Sequence, residues 1–346
     1  MEKIQFGNTD LMVSKVAMGG IPIMRLDKDR GVKVINEVLN MGINFIDTAH
    51  VYGDSEEKIG RAIKKHKREN LVLASKSPAR DKKTFLSHLN LSLERMGIDY
   101  IDIYQLHGVN SKEIMEKVMG EDGAYFGLKE AVSCGKVKYF AFSSHSSHIA
   151  KKLMRTKKFQ VVQIPFNFVD TEPEEKLIPL AYKLKMGVIA MKPMGGGILQ
   201  DANLAFRYLS QFEGIVPDPG VERTEEMAEI VKIIENPRPL TLNEREEIKK
   251  IRKELGNQWC HKCGYCMPCH KDINIPSVLA AKSTIKRMPI EAATKFLEKS
   301  IEKAKDCTEC RKCIKKCPYN LDIPVLLKKN IALWENYKNE FLNNKI

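Results

Sequence analysis

The chain has 346 residues, with 57 Lys and Arg against 44 Asp and Glu, a formal charge of +13 and nine cysteines. That length allows one large and one small domain with ample core, and without a run of ~20 apolar residues no membrane span is expected. The basic residues (Lys64, Lys65, Lys67 and Arg68; Lys249, Lys250 and Arg252; Lys315 and Lys316) are interleaved with acidic ones. They join no aromatic stacking platform, so nucleic-acid binding is not expected, whereas steering of an anionic substrate or an acidic redox partner is compatible with the charge.

The first predicted element is a hairpin, IQFGNTDLMVS from Ile4, whose Gly-Asn turn places it as a plug beneath the barrel formed by the later strands. From Lys15 to about Ile234 short apolar runs alternate with amphipathic segments. Strand candidates start at Val16, Ile43, Leu71, Tyr100, Val137, Gln160, Gly187 and Gly214. Helical stretches such as KTFLSHLNLSLERMG and EEKLIPLAYKLKMG end on Gly97 and Gly187, which read as C-caps. Eight alternating units favour an α/β chain closed as a (β/α)8 TIM barrel over an open doubly wound sheet. The barrel is assigned to 1–235. A linker and helix at 236–256 begin with Pro237 and Pro239, and Thr241 with Glu244 forms a capping box.

Residues 257–346 carry eight of the nine cysteines, as Cys260, Cys263, Cys266 and Cys269 and as Cys307, Cys310, Cys313 and Cys317 followed by Pro318. The second run, CxxCxxCxxxCP, is the ligand string of bacterial-type [4Fe-4S] proteins, in which the fourth cysteine reaches a second cluster. Two [4Fe-4S] clusters are expected, one on Cys260, Cys263, Cys266 and Cys317 and the other on Cys307, Cys310, Cys313 and Cys269. Structural zinc takes two cysteines from each of two knuckles, and here each run supplies four. Disulfides need an oxidising compartment, and MEKIQFGN lacks an apolar signal core, so a cytoplasmic protein with reduced thiols is expected. In the first run the last gap is one residue shorter and His270 replaces the proline, which makes Cys269 the least regular ligand. CHKDINIPSVL and CPYNLDIPVLL repeat each other with Pro276 and Pro324 in register, an internal duplication in which each loop leads into a helix, near 276–286 and 324–337. With Ile290, Ala293, Leu297, Ile301 and Ala304 at helical spacing between the runs, the module resembles all-α helical ferredoxin-like two-cluster domains. The lone Cys134 reads as a packing residue.

Barrel chemistry sits where strands end, so polar residues closing apolar runs are the candidates. Asp47, Lys76, His107, Ser143, Ser144 and Gln163 qualify, and Tyr52 follows Asp47 in the next loop. Taken singly each has a structural explanation, as a cap, an ion-pair partner or a satisfied histidine. Together, FIDTAHVYGDSEEKIG resembles the DTAxxYGxSE signature of the aldo-keto reductases, with Lys76 and His107 where that family keeps its lysine and histidine. The resemblance runs from about Ile4 to Ile234, and the cysteine module points to the ferredoxin-fused branch. It implies that Tyr52 is a general acid toward a substrate carbonyl, Lys76 its pKa modulator, Asp47 the orienting counter-ion and His107 a hydrogen-bond donor. A free phenol with pKa near ~10 needs such a cation to become a competent donor.

The same resemblance places Ser143, Ser144 and Gln163 at a nicotinamide carboxamide, with Met191 in place of a stacking tyrosine beside Lys192, and Gly220, Arg223 and Thr224 around a phosphate pocket. Glu226 and Ile230 stand where an arginine and an asparagine commonly hold the adenosine end, which disfavours a 2′-phosphate. NADP and NAD therefore both remain open, and a flavin is compatible, because hydride carriers move two electrons and each cubane one. The expected protein is an iron-sulfur oxidoreductase reducing a small-molecule carbonyl, an aldehyde or ketone, with a ferredoxin or flavodoxin as candidate acidic partner. The rival readings are a scaffold barrel carrying electron-transfer clusters and a zinc-stabilised reductase.

Overall fold

The computed structural model describes residues 1–255 and 258–343. Strands β1 (Lys3–Gln5) and β2 (Met12–Ser14) form the antiparallel hairpin, with Ile4 opposite Val13. The eight barrel strands come next: β3 (Met18–Gly19), β4 (Phe45–Asp47), β5 (Val72–Ser77), β6 (Ile101–Leu106), β7 (Val137–Ser143), β8 (Val161–Pro165), β9 (Gly187–Met191) and β10 (Ile215–Asp218). Each pairs in parallel with its neighbour in chain order. The ring closes where Gly19 bridges Gly220 and its N–H donates to the Pro219 carbonyl at 2.8 Å. The fold is a (β/α)8 barrel followed by a helical region.

Inward-facing Phe45, Ala74, Ile103, Ala141, Val161, Ile189 and Val216 fill the barrel with Phe6, which rises from the hairpin turn. Phe6 stacks edge-on to Phe45 at 5.6 Å and lies against Gly187, where a Cβ would meet its ring at 2.7 Å. The hairpin thus plugs the N-terminal end of the strands, and Gly187 is required for that contact. It is not the C-cap expected from the sequence. The preceding helix instead ends on Lys185 at φ 53, whereas Gly97 at φ 63 does cap its helix. The expected helix over 174–187 is also divided, into Glu172–Lys176 and Ile178–Leu184. Pro179 lacks an N–H and its ring clashes with the carbonyl four residues back, so it can start the second piece but not continue the first.

After the last barrel helix, Thr224–Glu235, comes helix Leu242–Leu255. Glu244 N–H donates to Thr241 Oγ1 at 3.2 Å and Thr241 N–H to Glu244 Oε2 at 2.8 Å, the reciprocal capping box. The assigned junction at 256–257 lies outside the described residues, as does the end of the module at 344–346. The module's main helices are Ala281–Arg287, Ile290–Ala304 and Ile323–Asn343. Ile275 N–H donates to Ile273 O at 2.9 Å and Ile323 N–H to Leu321 O at 2.8 Å, so the two copies of the repeat make the same turn before the same proline. In the first copy the helix runs only Ile275–Val278 before a break, shorter than the repeat implies.

Ile273, Val278, Leu297, Ile301, Leu321 and Trp334 form the module's core, and the same apolar cluster includes Met24, Ala49 and Tyr52 of the barrel. The module is thereby seated on the C-terminal mouth. Polar contacts fix it: His261 Nδ1 bonds Asp170, Arg25 donates to the Lys286 carbonyl, and Tyr265 OH donates to Glu172 at 3.2 Å. Among the described residues no helix is long and apolar enough to cross a membrane. Cys134, at the end of helix Ala124–Ser133, is exposed, contrary to the packing role expected of it.

Candidate active site and cysteine module

The ends of β4 to β10 each deliver a side chain to a cavity of 570 Å³ between barrel and module, and β3 contributes the backbone of Gly19. Asp47 closes β4 and lies 2.5 Å from Lys76 Nζ on β5, and the ammonium also donates to the Thr48 carbonyl at 2.6 Å. Gln105 donates to Asp47 at 3.1 Å, and the Gln163 amide donates to Asp47 and to Asp218, both at 3.0 Å. Burial opposes the Lys76 charge, but Asp47, Tyr52 and Asp218 outweigh it and raise its pKa above the ordinary lysine value. Burial and the charge of Asp47 push the Asp218 carboxyl well above the usual range. Asp218 ends β10 by the same rule that singled out Asp47.

Tyr52 lies in the loop after β4, whose conformation the signature residues hold. Thr48 and Ser55 hydroxyls bond at 2.7 Å, Ser75 donates to buried Glu56 at 2.7 Å, and Arg95 bridges Glu56 and the His50 carbonyl, each at 3.0 Å. Gly53 at φ 51 makes the turn. Lys76 Nζ sits 5.4 Å from the Tyr52 ring centroid, and His107 stands edge-on to the ring at 5.9 Å. Burial raises the Tyr52 pKa, and Lys76 pulls against it without reversing it, so the phenol is held neutral. Burial, then Lys76 and Arg80, push His107 down to about 3, leaving a neutral imidazole.

The structure brings Asp47, Tyr52, Lys76, His107, Ser143, Gln163, Met191, Lys192 and Gly220 onto this cavity. It does not bring Ser144, whose hydroxyl turns to the Val109 carbonyl at 2.6 Å. Nor does it bring Arg223, which pairs with Glu226, or Thr224, which bonds Glu37. Glu226 itself accepts the Glu222 and Arg223 backbone N–H groups at 3.0 and 3.3 Å, occupying the helix N-terminus where a phosphate would bind. The sequence reading also missed Lys262 and Arg287, which line the cavity from the module. Tertiary docking carries them there, and no local pattern marks them.

In the module, burial raises Cys260, Cys263 and Cys266, the latter two to about 11 and about 12, and Cys317 adds to all three. Burial raises Cys313, with Cys310 and Cys307 adding. A second cavity of 270 Å³ is lined by Cys266 and Cys269 of the first run and by Cys307, Cys310 and Cys313 of the second. Thiols of the two runs therefore meet across the duplication. His270 Nδ1 sits 3.7 Å from Cys310 Sγ, so the residue that replaces the first-run proline touches the second run. Among the described residues no three His, Cys, Asp or Glu side chains converge on a single-ion site.

A (β/α)8 barrel with a buried Asp-Lys pair under a tyrosine and a histidine at its mouth, followed by paired cysteine runs, defines a redox protein of two parts. The aldo/keto reductase family matches residues 15–214 and a 4Fe-4S dicluster domain matches 259–322. The chain belongs to the aldo/keto reductase family and is an oxidoreductase of that type carrying a 4Fe-4S dicluster domain. It is 29% identical over 218 residues to oxidoreductase YqkF of Bacillus subtilis, spanning 59% of this chain and 68% of that one. To aldo-keto reductase str7 of Strobilurus tenacellus it is 31% identical over 208 residues, 54% of this chain and 60% of that relative's length. The holo form of aldo-keto reductase AKR11C1 from Bacillus halodurans superposes with a TM-score of 0.62 at 24% identity, over 72% of this chain and 96% of that one. At that identity the likeness is one of fold.

Proposed function

We propose that the protein reduces an aldehyde or ketone with a nicotinamide cofactor and carries two [4Fe-4S] clusters, with Tyr52 protonating the carbonyl oxygen. The observation that carries this reading is the buried Lys76–Asp47 pair at 2.5 Å beneath a neutral Tyr52. Lys76, kept charged by Asp47, stabilises the phenolate that forms as the proton leaves, and neutral His107 donates a hydrogen bond that orients the carbonyl. The nicotinamide, when bound, supplies the hydride. The cavity volume and the unpartnered Gln163 amide oxygen, an acceptor for a carboxamide N–H, fit such a ring. Glu226 at the helix N-terminus favours NAD over NADP, since a 2′-phosphate would face a carboxylate.

For the clusters, the thiol grouping supports Cys260, Cys263, Cys266 and Cys317 as one ligand set and Cys307, Cys310, Cys313 and Cys269 as the other. Cys310 is exposed amid exposed Arg311, Lys312, Lys315 and Lys316, which favours electron exchange with an acidic partner such as a ferredoxin or flavodoxin. That surface is the one observation favouring the second reading, in which the barrel only scaffolds the clusters.

The Tyr52→Phe variant separates them. It keeps the ring and removes the proton donor, so turnover should fall by about 10²–10⁴ with cofactor affinity near wild type. Undiminished turnover would remove Tyr52 from the chemistry and leave the scaffold reading standing.

A further inference from the structure

The charges around the 570 Å³ cavity do not cancel within the protein. Its carboxylates are all engaged: Asp47 by Lys76 at 2.5 Å, Asp218 by the Gln163 amide at 3.0 Å, Glu222 by Arg25 at 3.3 Å and Glu226 by Arg223 at 2.9 Å. Of its cations, Lys76 is matched by Asp47, whereas Lys192 after β9, Lys262 in the first cysteine loop and Arg287 at the end of helix Ala281–Arg287 also line the cavity and form no ion pair among the described residues. Burial and repulsion among these cations push the two lysines below the ordinary lysine value, which leaves the Arg287 guanidinium as the cation without a matching anion. Arg287 is fixed by a hydrogen bond from Nε to the Ser283 carbonyl at 2.9 Å, which leaves its terminal nitrogens for another acceptor.

The cations face different neighbours. Lys192 and Lys262 lie beside Cys260 and beside each other, while Arg287 lies near enough to Tyr52 to favour the phenolate over the phenol. A guanidinium next to the proton donor, supplied by the module and not by the barrel, is placed to act on what binds at Tyr52.

We infer that the substrate is a carbonyl compound carrying an anionic group, a carboxylate or a phosphate, which Arg287 holds in the cavity beside Tyr52. The cysteine module then contributes a specificity residue to the barrel's site. This inference rests on the carbonyl-reduction reading. The same cation could instead receive the diphosphate of the nicotinamide cofactor, and the test separates the two sources.

Anaerobically prepared holoprotein is assayed with para-carboxybenzaldehyde and with its uncharged methyl ester. Wild type should favour the acid in kcat/KM, and Arg287→Met should abolish that preference through KM by about ten- to a hundredfold, the worth of one charge-assisted hydrogen bond, with Arg287→Lys restoring part of it. Equal use of acid and ester by wild type overturns the inference. So does an Arg287→Met effect that falls on the dissociation constant for NADH or NADPH and not on the aldehyde, since the anion is then the cofactor's. Loss of iron and sulfide from Arg287→Met but not from Arg287→Lys would also overturn it, by assigning the cation to the cluster. Calorimetric binding of terephthalate needs no turnover. At least tenfold weaker binding in Arg287→Met upholds the anion site even where neither aldehyde is reduced, an outcome that defeats only the carbonyl reading, and unchanged binding refutes the site.

Discussion

Two carboxylates share the Gln163 amide at 3.0 Å each, yet their surroundings differ. Asp47 has a buried ammonium against it, and Asp218 has burial and a like charge, which push its carboxyl well above the usual range. The substitutions should therefore diverge. Asp218→Asn replaces a carboxyl whose burial favours the neutral form with a neutral amide of the same shape and should leave chemical denaturation midpoints and turnover near wild type. Asp47→Asn strands the Lys76 ammonium, a loss of about 3–5 kcal/mol for breaking a buried pair. Equal damage from both would show that Asp218 is ionised. Histidines set the acid side of stability. His50 is pushed down to about 4, by burial and then by His88 and Arg95, and His107 to about 3, from an ordinary 6.5. Both bind protons more readily in the unfolded chain, so they leave stability unaffected above pH 6.5 and lower it as pH falls below 6.5 toward 4 and 3. Melting temperatures across that window should drop less steeply in His50→Gln than in wild type, and parallel curves would contradict the assignment.

At the scale of elements, the same turn precedes Pro276 and Pro324 in the two copies of the repeat, and the proposed ligation crosses between the copies, Cys317 with the first three cysteines and Cys269 with the second three. Cys317→Ala should thus cost the cluster on Cys260, Cys263 and Cys266 while the other assembles. Iron per chain and the electron paramagnetic resonance of the reduced protein would show one cluster in place of two, and loss of the Cys307, Cys310 and Cys313 cluster alone would refute the crossed ligation. Much of this was legible. The eight strands announce themselves as short apolar runs ending in a polar residue, and the cysteine spacing is a local pattern with its own chemistry. Asp218 escaped because PDPG, with prolines on both sides of the aspartate, reads as a turn, although Pro217 and Asp218 pair with Ala190 and Met191 as the end of β10. Gly187 was misread because a glycine after a helix has two uses, and only the position of Phe6 decides between them. Lys262 and Arg287 carried no signal, since a helix end and a cysteine loop become parts of a site only when the module docks.

Over the whole molecule, the module is a lid on the barrel mouth as well as a cluster carrier. Tyr52 is 8% exposed because Met24, Ala49 and the module core cover it. A chain ending near Asn236 would open that cover, remove Arg287 and Lys262, and let water reach the Lys76–Asp47 pair. Its reductase kinetics should differ from the full chain's for every substrate, and a truncated barrel with wild-type kcat/KM would show that the two halves work separately. The central question is whether the carbonyl carbon receives a hydride or successive single electrons. Reduced nicotinamide bearing deuterium at its transferable ring position, supplied to the anaerobic holoprotein with an aldehyde, distinguishes them. Hydride transfer at the Tyr52 site predicts one deuterium on the carbinol carbon of the product, and an alcohol formed without deuterium while the nicotinamide is oxidised would mean that the electrons travel through the clusters.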